Sequence, residues 1–135
     1  MPKICLDTGP IMLYLSKNPP QEIELLIKRV QNKEITATVM APILIEVFKH
    51  LCVKKGKDFA VNSHNSFRVR VPVEIGQLTD SLIIAAGKLK CQYRELLSYN
   101  DCIVVAYAIE QKVELHTTEK ELNTIPKLIV KDYIF

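Results

Sequence analysis

Short segments typical of β-strands alternate with segments typical of α-helices along the whole 135-residue sequence. The first kind is continuously apolar or rich in β-branched residues, whereas the second carries apolar residues three and four positions apart. Such alternation predicts a mainly parallel sheet with helices on both faces. We therefore expect an α/β fold of three layers (α/β/α) around a central sheet of four or five strands. The length fits one domain over residues 1–135.

The individual elements follow from these patterns and from the turn signals between them. Pro72 limits the pairing of the third predicted strand, because proline cannot donate a backbone hydrogen bond to a neighbouring strand. Residues 57–67 favour a loop with some helix, and residues 91–100 favour a connection. The predicted strands are 3–6, 34–39, 68–75, 113–117 and 127–135, and the predicted helices are 10–17, 19–32, 41–56, 76–90, 101–112 and 119–125.

Composition narrows the class of protein without indicating a function. Lysine and arginine outnumber aspartate and glutamate by 18 to 15, a mild excess that permits a polyanionic partner but does not require one. No apolar run reaches the roughly 20 residues that span a bilayer, and the first residues lack the continuous apolar stretch of a secretion signal. The four cysteines form no C-x-x-C pair, which favours reduced thiols in a cytoplasmic protein.

Four acidic residues lie where elements meet at one edge of such a sheet. Asp7 follows the first strand in ICLDTGP, and Glu119 follows the strand VELHT. Glu46 lies early in the helix after the second strand, and Asp101 opens the apolar helix before VELHT. Parallel sheets bind ligands beyond the carboxyl ends of their strands, so we expect these carboxylates to converge there. Converging carboxylates need a cation, and an all-oxygen set suits Mg²⁺ or Mn²⁺.

Each of these acids also has a local explanation that requires no bound ion. Asp7 and Thr8 could cap the first helix, and the SYND run could make Asp101 part of a capping box. Glu46 lies off the centre of its helix's apolar stripe, as a solvent-facing residue would. Glu119 could favour a helix N-terminus through the helix dipole. The functional interpretation therefore depends on all four acids meeting at once.

Three stretches, ICLDTGPIMLYL, APILIEVFKHL and LSYNDCIVVAYAIEQKVELHTTEKEL, together resemble the PIN-domain ribonucleases, and in particular the VapC-type toxins of toxin–antitoxin pairs. The likeness spans essentially the whole chain, in the family's order and spacing. It implies a PIN-like fold and a set of catalytic acids that holds Mg²⁺ or Mn²⁺. Asp7, Glu46 and Asp101 match three acids of that set, and Glu119 corresponds best to the fourth.

The turn after the strand VELHT departs from the family pattern. It reads TTEKEL, with Glu119 and Glu121 where the family usually has aspartates, and with leucine in place of an aromatic residue. Either glutamate could complete the set, and the longer side chain could place its carboxylate differently. Thr8, Asn100, Thr118 and Glu121 are supporting candidates, because polar groups beside the acids can orient a water molecule or hold a carboxylate.

The resemblance implies a metal-dependent endoribonuclease that hydrolyses RNA phosphodiester bonds, with an antitoxin partner, a homodimeric state and no membrane association. Two other functions stay open on the sequence alone. An incomplete acid set would leave an RNA-binding or scaffold module without catalysis. The Asp-Thr-Gly run at residues 7–9 also matches a dimeric aspartic protease, although that fold is nearly all β and this sequence predicts at least four helices.

Overall fold

The computed structural model describes residues 2–134. Within this range five strands alternate with six α-helices, and a short 3₁₀-helix precedes the last strand. The strands are β1 (Lys3–Leu6), β2 (Thr36–Met40), β3 (Glu74–Gly76), β4 (Glu114–Thr117) and β5 (Ile129–Asp132). The helices are α1 (Thr8–Tyr14), α2 (Gln21–Gln31), α3 (Ala41–Lys55), α4 (Lys57–Arg70), α5 (Asp80–Gln92) and α6 (Tyr99–Gln111), and the 3₁₀-helix is Lys120–Thr124.

The strands form one sheet in the order β3-β2-β1-β4-β5, and every neighbouring pair is parallel. Helices cover both faces, which confirms the predicted three-layer arrangement. The chain adds β2 and β3 on one side of β1, and then β4 and β5 on the other side. This reversal makes the junction of β1 and β4 the topological switch point, where parallel sheets form a crevice beyond their strand ends.

The central strands and α6 form the core that fixes this crevice. Cys5 and Leu6 of β1, and Ala37 and Val39 of β2, are fully buried. Helix α6 is buried along most of its length and contacts β1 and β4. Burying one large aliphatic side chain contributes about 1.5–3 kcal/mol. The ends of β1 and β4 are therefore rigidly placed relative to the start of α6.

The structure corrects the prediction for residues 57–67. This segment was expected to be a loop with some helix. That prediction is wrong, because all of these residues belong to α4. Ala60 and Phe67 are buried, seven residues and thus about two turns apart on one side of the helix. Most other positions of α4 are polar or exposed. The helical periodicity was weak in the sequence because so few positions of α4 face the core.

The predicted strand over residues 68–75 is also wrong for most of its length. The alternating RVRV run begins in the last turn of α4, where Val69 is 86% exposed, and β3 covers only three residues. Helix α4 stops before Val71, whose backbone is extended. A residue that precedes proline disfavours helical backbone angles, so Pro72 explains where α4 ends.

Side-chain caps move the start of two helices. Helix α1 begins at Thr8 and not at residue 10, with Asp7 as its N-cap. Helix α6 begins at Tyr99 and not at residue 101, with Ser98 as its N-cap. In both helices the capping side chain accepts a hydrogen bond from a backbone N–H of the first turn. These two helix starts were therefore predicted about two residues late, whereas the start of α5, predicted at residue 76, was four residues early.

The C-terminal elements largely follow their predicted positions. The short helix expected over residues 119–125 is the 3₁₀-helix, and β5 occupies the centre of the strand expected over residues 127–135. Residue 135 of that prediction lies outside the described residues. All four cysteines are free thiols, and no helix among residues 2–134 is long and apolar enough to cross a membrane.

Candidate functional site

The candidate site lies at the switch point between β1 and β4. Asp7 directly follows β1, and Glu119 lies two residues beyond β4. Asp101 joins them from the first turn of α6. A carboxylate oxygen from each of these three residues lies within 4.8 Å of the other two. Three of the four acids predicted from the sequence thus meet, and we call Asp7, Asp101 and Glu119 the acid cluster.

Asp7 is only 4% exposed and is held through both of its carboxylate oxygens. The backbone N–H of Thr8 donates to Asp7 Oδ1 at 2.8 Å, and Thr117 Oγ1 donates to Asp7 Oδ2 at 2.8 Å. Thr117 Oγ1 also accepts from the backbone N–H of Glu119 at 3.1 Å. This one hydroxyl therefore connects the carboxylate of Asp7 to the backbone that carries Glu119.

Asp101 closes the capping box that its sequence context predicts. The backbone N–H of Ser98 donates to Asp101 Oδ2 at 3.0 Å, and the backbone N–H of Asp101 donates to Ser98 Oγ at 3.1 Å. Only one carboxylate oxygen takes part in this box, so the other oxygen is available to the acid cluster. Capping and membership of the cluster are thus compatible roles, as they are for Asp7.

Glu46 lies at the rim of the acid cluster and is not one of the three acids in closest contact. Asn100 Nδ2 donates to Glu46 Oε1 at 2.7 Å, which ties α6 to α3. His50 Nε2 lies 3.6 Å from Glu46 Oε2. Glu46 and Glu121 line one depression of about 540 Å³ together with two members of the acid cluster. The fourth predicted acid therefore faces the same space from the neighbouring helix.

Burial and mutual repulsion change the titration of two members of the cluster. Burial, with a smaller contribution from nearby carboxylates, raises the pKa of Asp7 to about 6 in spite of its two hydrogen bonds. Burial raises the pKa of Glu119 to about 8, with added contributions from a hydrogen bond to Asp101 and from its charge. Protonated Glu119 can donate to Asp101, whereas ionised Glu119 leaves a buried oxygen without a donor. The cluster therefore favours either a shared proton or a cation.

The residues present fit a divalent cation of the magnesium type. Their donor atoms are carboxylate oxygens, which hard cations such as Mg²⁺ and Mn²⁺ prefer. Glu119 Oε2 and Thr8 Oγ1 are buried, and neither has a hydrogen-bond partner among the described residues. Unpartnered buried oxygens are uncommon and costly. A cation with its water ligands would satisfy both atoms.

Comparison with known protein families identifies the family to which this arrangement belongs. The model of the family described as PIN domain matches residues 4–128, a range that contains every member of the acid cluster. The chain belongs to the PIN domain family. A search of curated proteins finds no match to this PIN domain.

Solved structures with the same fold include several toxin–antitoxin proteins. A chain of VapBC2 from Rickettsia felis, solved with a DNA fragment from its promoter, has a TM-score of 0.80 and 21% identity over 97% of this PIN domain and 98% of that chain. A chain of a toxin–antitoxin complex from Klebsiella pneumoniae has a TM-score of 0.71 and 18% identity over 98% of this PIN domain and 99% of that chain. VapC20 from Mycobacterium tuberculosis, a toxin that cleaves the sarcin–ricin loop, has a TM-score of 0.72 and 14% identity over 93% of this PIN domain and 98% of that chain. The predicted resemblance and fold are confirmed.

Thr117 belongs to the candidate site of this PIN domain, although no sequence pattern predicted it. The register of the central strands pairs Leu6 of β1 with His116 of β4. The next residues, Asp7 and Thr117, therefore lie side by side at the ends of the two strands. Thr117 is fully buried and donates to the carboxylate, a role that the sequence analysis considered for its neighbour Thr118.

The predicted supporting residues of this PIN domain surround the cluster in different ways. The side chain of Thr118 lies against Gly9, where a Cβ atom added to the glycine would be only 2.8 Å from Thr118 Cβ. The hydroxyl of Thr8 is buried beside the cluster, and Asn100 holds the carboxylate on α3. The first turn of α1 and the loop after β4 therefore pack closely against each other at the site.

The Asp-Thr-Gly run does not belong to an aspartic protease in this PIN domain. Asp7 follows a central parallel strand and caps α1. The protease interpretation requires a nearly all-β fold, whereas this chain forms a parallel sheet covered by helices. The match to that short motif is therefore coincidental.

Proposed function

We propose that this PIN domain is a metal-dependent endoribonuclease that hydrolyses RNA phosphodiester bonds. The observation that carries the proposal is the meeting of Asp7, Asp101 and Glu119, whose carboxylate oxygens lie within 4.8 Å of one another at the switch point. Glu46 adds a fourth carboxylate from α3. In this proposal the four acids bind Mg²⁺ or Mn²⁺ and are the catalytic residues.

Electrostatics supports a cation at this position. Two unit charges about 4 Å apart interact with roughly 4 kcal/mol at an effective dielectric constant of about 20, so three adjacent carboxylates repel one another strongly. Burial, together with this repulsion, raises the pKa values of Asp7 and Glu119. A divalent cation offsets both effects and favours the ionised carboxylates at neutral pH.

The contribution of the chain itself is a preformed arrangement of acids. When bound, the cation supplies neutralising charge at the scissile phosphate and a water molecule of lowered pKa. Thr117 and the backbone of Thr8 fix both oxygens of Asp7, and Asn100 fixes Glu46. Because these carboxylates are already oriented in the folded chain, little reorganisation accompanies substrate binding.

Four further residues have supporting roles in this proposal. Thr8 Oγ1 is available to orient a water molecule beside the cluster, since it has no other partner among the described residues. Asn100 positions Glu46 through its side-chain amide. Thr118 holds the loop after β4 against the first turn of α1. Glu121 extends the negative lining of the depression at the cluster.

The proposed biological role is that of the toxin in a toxin–antitoxin pair in the cytoplasm. The solved structures from Rickettsia felis, Klebsiella pneumoniae and Mycobacterium tuberculosis support this role, because their chains share the fold over nearly the whole length. The expected partner is an antitoxin protein that covers the acid site. Co-expression with the product of the neighbouring gene should give a stable complex without RNA cleavage, and free cleavage in that mixture would contradict the role.

A homodimer is proposed on the basis of exposed apolar side chains at α5 and α6. Leu78, Ile83 and Tyr99 are 44%, 55% and 74% exposed, and they line one shallow depression. Contiguous apolar surface of this kind is typical of a protein interface. Light scattering should give twice the monomer mass of 15.4 kDa. A monomer at micromolar concentration would contradict the homodimer and leave the ribonuclease proposal intact.

The catalytic proposal is tested by cleavage of an RNA mixture during a titration with Mn²⁺ and then with a chelator. Asp7→Asn and Asp101→Asn should each lower the rate at least about a hundredfold, because a bound metal supplies several kcal/mol of transition-state stabilisation. Asp58→Asn, an exposed acid on α4, is the matched control and should retain full activity. Binding of RNA without cleavage at any Mn²⁺ concentration would contradict the enzyme and favour an RNA-binding or scaffold module.

A further inference from the structure

A second depression adjoins the acid cluster on the side of α1. It has a volume of about 530 Å³, and its lining includes Gly9, Lys54, Thr118, Lys120 and Tyr133. We call this depression the lysine pocket. Gly9 lies in the first turn of α1, two residues after Asp7, and Thr118 directly precedes Glu119, so the lysine pocket begins where the acid site ends.

The lysine pocket is cationic, in contrast to the neighbouring site. Lys54 and Lys120 line it, and none of the described residues in its lining is acidic. Neither lysine forms an ion pair with another described residue. Their amino groups are therefore not neutralised by a described carboxylate and can act on a ligand. Two lysines without a carboxylate favour an anionic group in this pocket.

A third depression, of about 500 Å³, connects the lysine pocket to the acid site. It shares Gly9, Lys54 and Thr118 with the lysine pocket, and it is also lined by Glu46 and Glu119. The depressions thus form one continuous groove along α3. A polymer that lies across the carboxylates can therefore continue along α3 into the lysine pocket.

The chemistry of the lysine pocket matches one nucleotide. Met12, Leu13 and Ile134 add apolar surface to its lining, beside the cationic groups. A nucleotide needs both kinds of surface, because its phosphate contacts cations while its base and ribose pack against uncharged groups. The volume also lies within the range of roughly 300–1,000 Å³ that is usual for ligand sites.

We propose that the lysine pocket is an RNA subsite that binds the nucleotide next to the cleaved bond, with Lys54 and Lys120 contacting its phosphate. The inference rests on the proposed ribonuclease function and adds the path of the substrate. The pocket has room for one nucleotide, whose base must be unstacked from its neighbours in order to enter. Single-stranded RNA is therefore the form that fits. An acidic protein segment would also meet two lysines, but the continuity with the acid site favours RNA.

RNA binding tests the pocket without any cleavage. In the presence of a chelator, the affinity for a labelled single-stranded RNA is measured at several salt concentrations, and each phosphate contact contributes about 0.7 to the slope of log affinity against log salt. The double variant Lys54→Gln/Lys120→Gln should bind about tenfold more weakly. Its slope should also be smaller by at least about 0.7. Lys28→Gln, exposed on α2 and outside the groove, should change neither quantity.

Cleavage then locates the pocket relative to the broken bond. The RNA is shortened by one nucleotide on one side of the mapped cut or on the other. The shortened RNA that lacks the nucleotide bound in the lysine pocket should be cleaved by the wild type with a kcat/KM about tenfold lower than that for the full RNA. The double variant should cleave that short RNA and the full RNA at equal rates, because the contact that the missing nucleotide would make is already absent.

Two results would overturn the proposal. The first is a double variant with the same salt slope as the wild type. The second is a double variant whose kcat/KM still falls about tenfold, as that of the wild type does, when the RNA is shortened. If the same variant instead loses affinity for the antitoxin, the pocket binds an acidic protein segment. If the double variant has a smaller salt slope than the wild type but the wild type shows no Mn²⁺-dependent cleavage, only the proposed function is contradicted. Normal cleavage with an unchanged slope contradicts only the pocket.

Discussion

The two oxygens of Asp7 serve the fold and the proposed site at the same time. One accepts from the backbone of Thr8 and caps α1, and the other accepts from Thr117. These hydrogen bonds lower the pKa of the carboxyl group, but burial outweighs them and raises the pKa to about 6. The result is a carboxylate that is firmly oriented and still lacks a compensating charge, which a bound cation supplies.

Thr117→Val tests the contribution of that hydrogen bond, because valine keeps the shape of the side chain and removes the hydroxyl. The variant leaves an oxygen of Asp7 without its donor, so we expect a loss of about 1–3 kcal/mol in the free energy of unfolding. Loss of such an orienting contact should also weaken Mn²⁺ binding about 10–100-fold. Urea unfolding and calorimetry measure the two effects.

Thr124→Val, on the exposed side of the 3₁₀-helix, provides the control for this substitution. It should leave the affinity for Mn²⁺ unchanged. Equal Mn²⁺ affinities in the wild type and in Thr117→Val would show that Asp7 does not need its donor in order to bind the ion.

At the residue scale, the sequence predicts the acids better than their partners. Asp7 and Asp101 could be located because each lies at a boundary between elements and directly beside an apolar segment. Thr117 could not be located, since its role depends on the pairing of Leu6 with His116. That register joins strands more than a hundred residues apart, and no local pattern specifies it.

At the scale of elements, α4 shows how a helix can be concealed in a polar sequence. Its buried positions include only Ala60 and Phe67, while its other residues are mostly polar or exposed. The RVRV run alternates like a strand, yet its first three residues form the end of this helix. Tertiary packing of a few large side chains therefore outweighs the local alternation of residue types.

Phe67→Ala should destabilise the protein by about 3–5 kcal/mol, because it removes a fully buried aromatic side chain and leaves a cavity. Val69→Ala, two residues away and 86% exposed, should change the free energy of unfolding by no more than about 0.5 kcal/mol. Urea unfolding of the two variants compares them directly. If the segment were an edge strand with alternating burial, the two substitutions would have similar effects.

The remaining elements could be predicted because their signals are local. Four of the strands and most helices follow from apolar periodicity, proline positions and caps. The starts of α1 and α6 were predicted about two residues late, since Asp7 and Ser98 act as N-caps at positions that periodicity alone does not define. Boundaries therefore depend on individual hydrogen bonds, whereas the existence of an element depends on its repeated pattern.

At the scale of the whole molecule, the topology creates the site. The strand order β3-β2-β1-β4-β5 places the ends of β1 and β4 side by side, although most of the chain separates them. The alternation of strands and helices was sufficient to predict a parallel sheet and an acidic edge. The strand order was not predicted, because alternation alone is compatible with other orders.

The metal-free protein should become less stable as the pH rises from about 7 to about 8. Folded Glu119 has a pKa of about 8, whereas the ordinary value is 4.5, so the unfolded chain has already released a proton that the folded chain retains. Rising pH therefore favours the unfolded state until the folded group also ionises. Burial lowers the pKa of His116 from 6.5, so this group is mostly neutral in both states over the same range.

Thermal unfolding at a series of pH values measures this dependence. The melting temperature of the metal-free wild type should fall across the range, and saturating Mn²⁺ should remove most of the decrease because it favours the ionised carboxylate. Glu119→Gln should show a nearly constant melting temperature. An equal decrease in Glu119→Gln would assign the effect to a different group.

The central claim is that the acid cluster binds a divalent cation, and isothermal calorimetry with Mn²⁺ near neutral pH tests it most directly. The wild type should bind Mn²⁺ with release of protons, since Glu119 must ionise in order to bind the ion. Asp101→Asn should lose this binding, while Asp58→Asn should retain it. Equal Mn²⁺ binding by the wild type and Asp101→Asn, or no binding by either protein, would contradict the account.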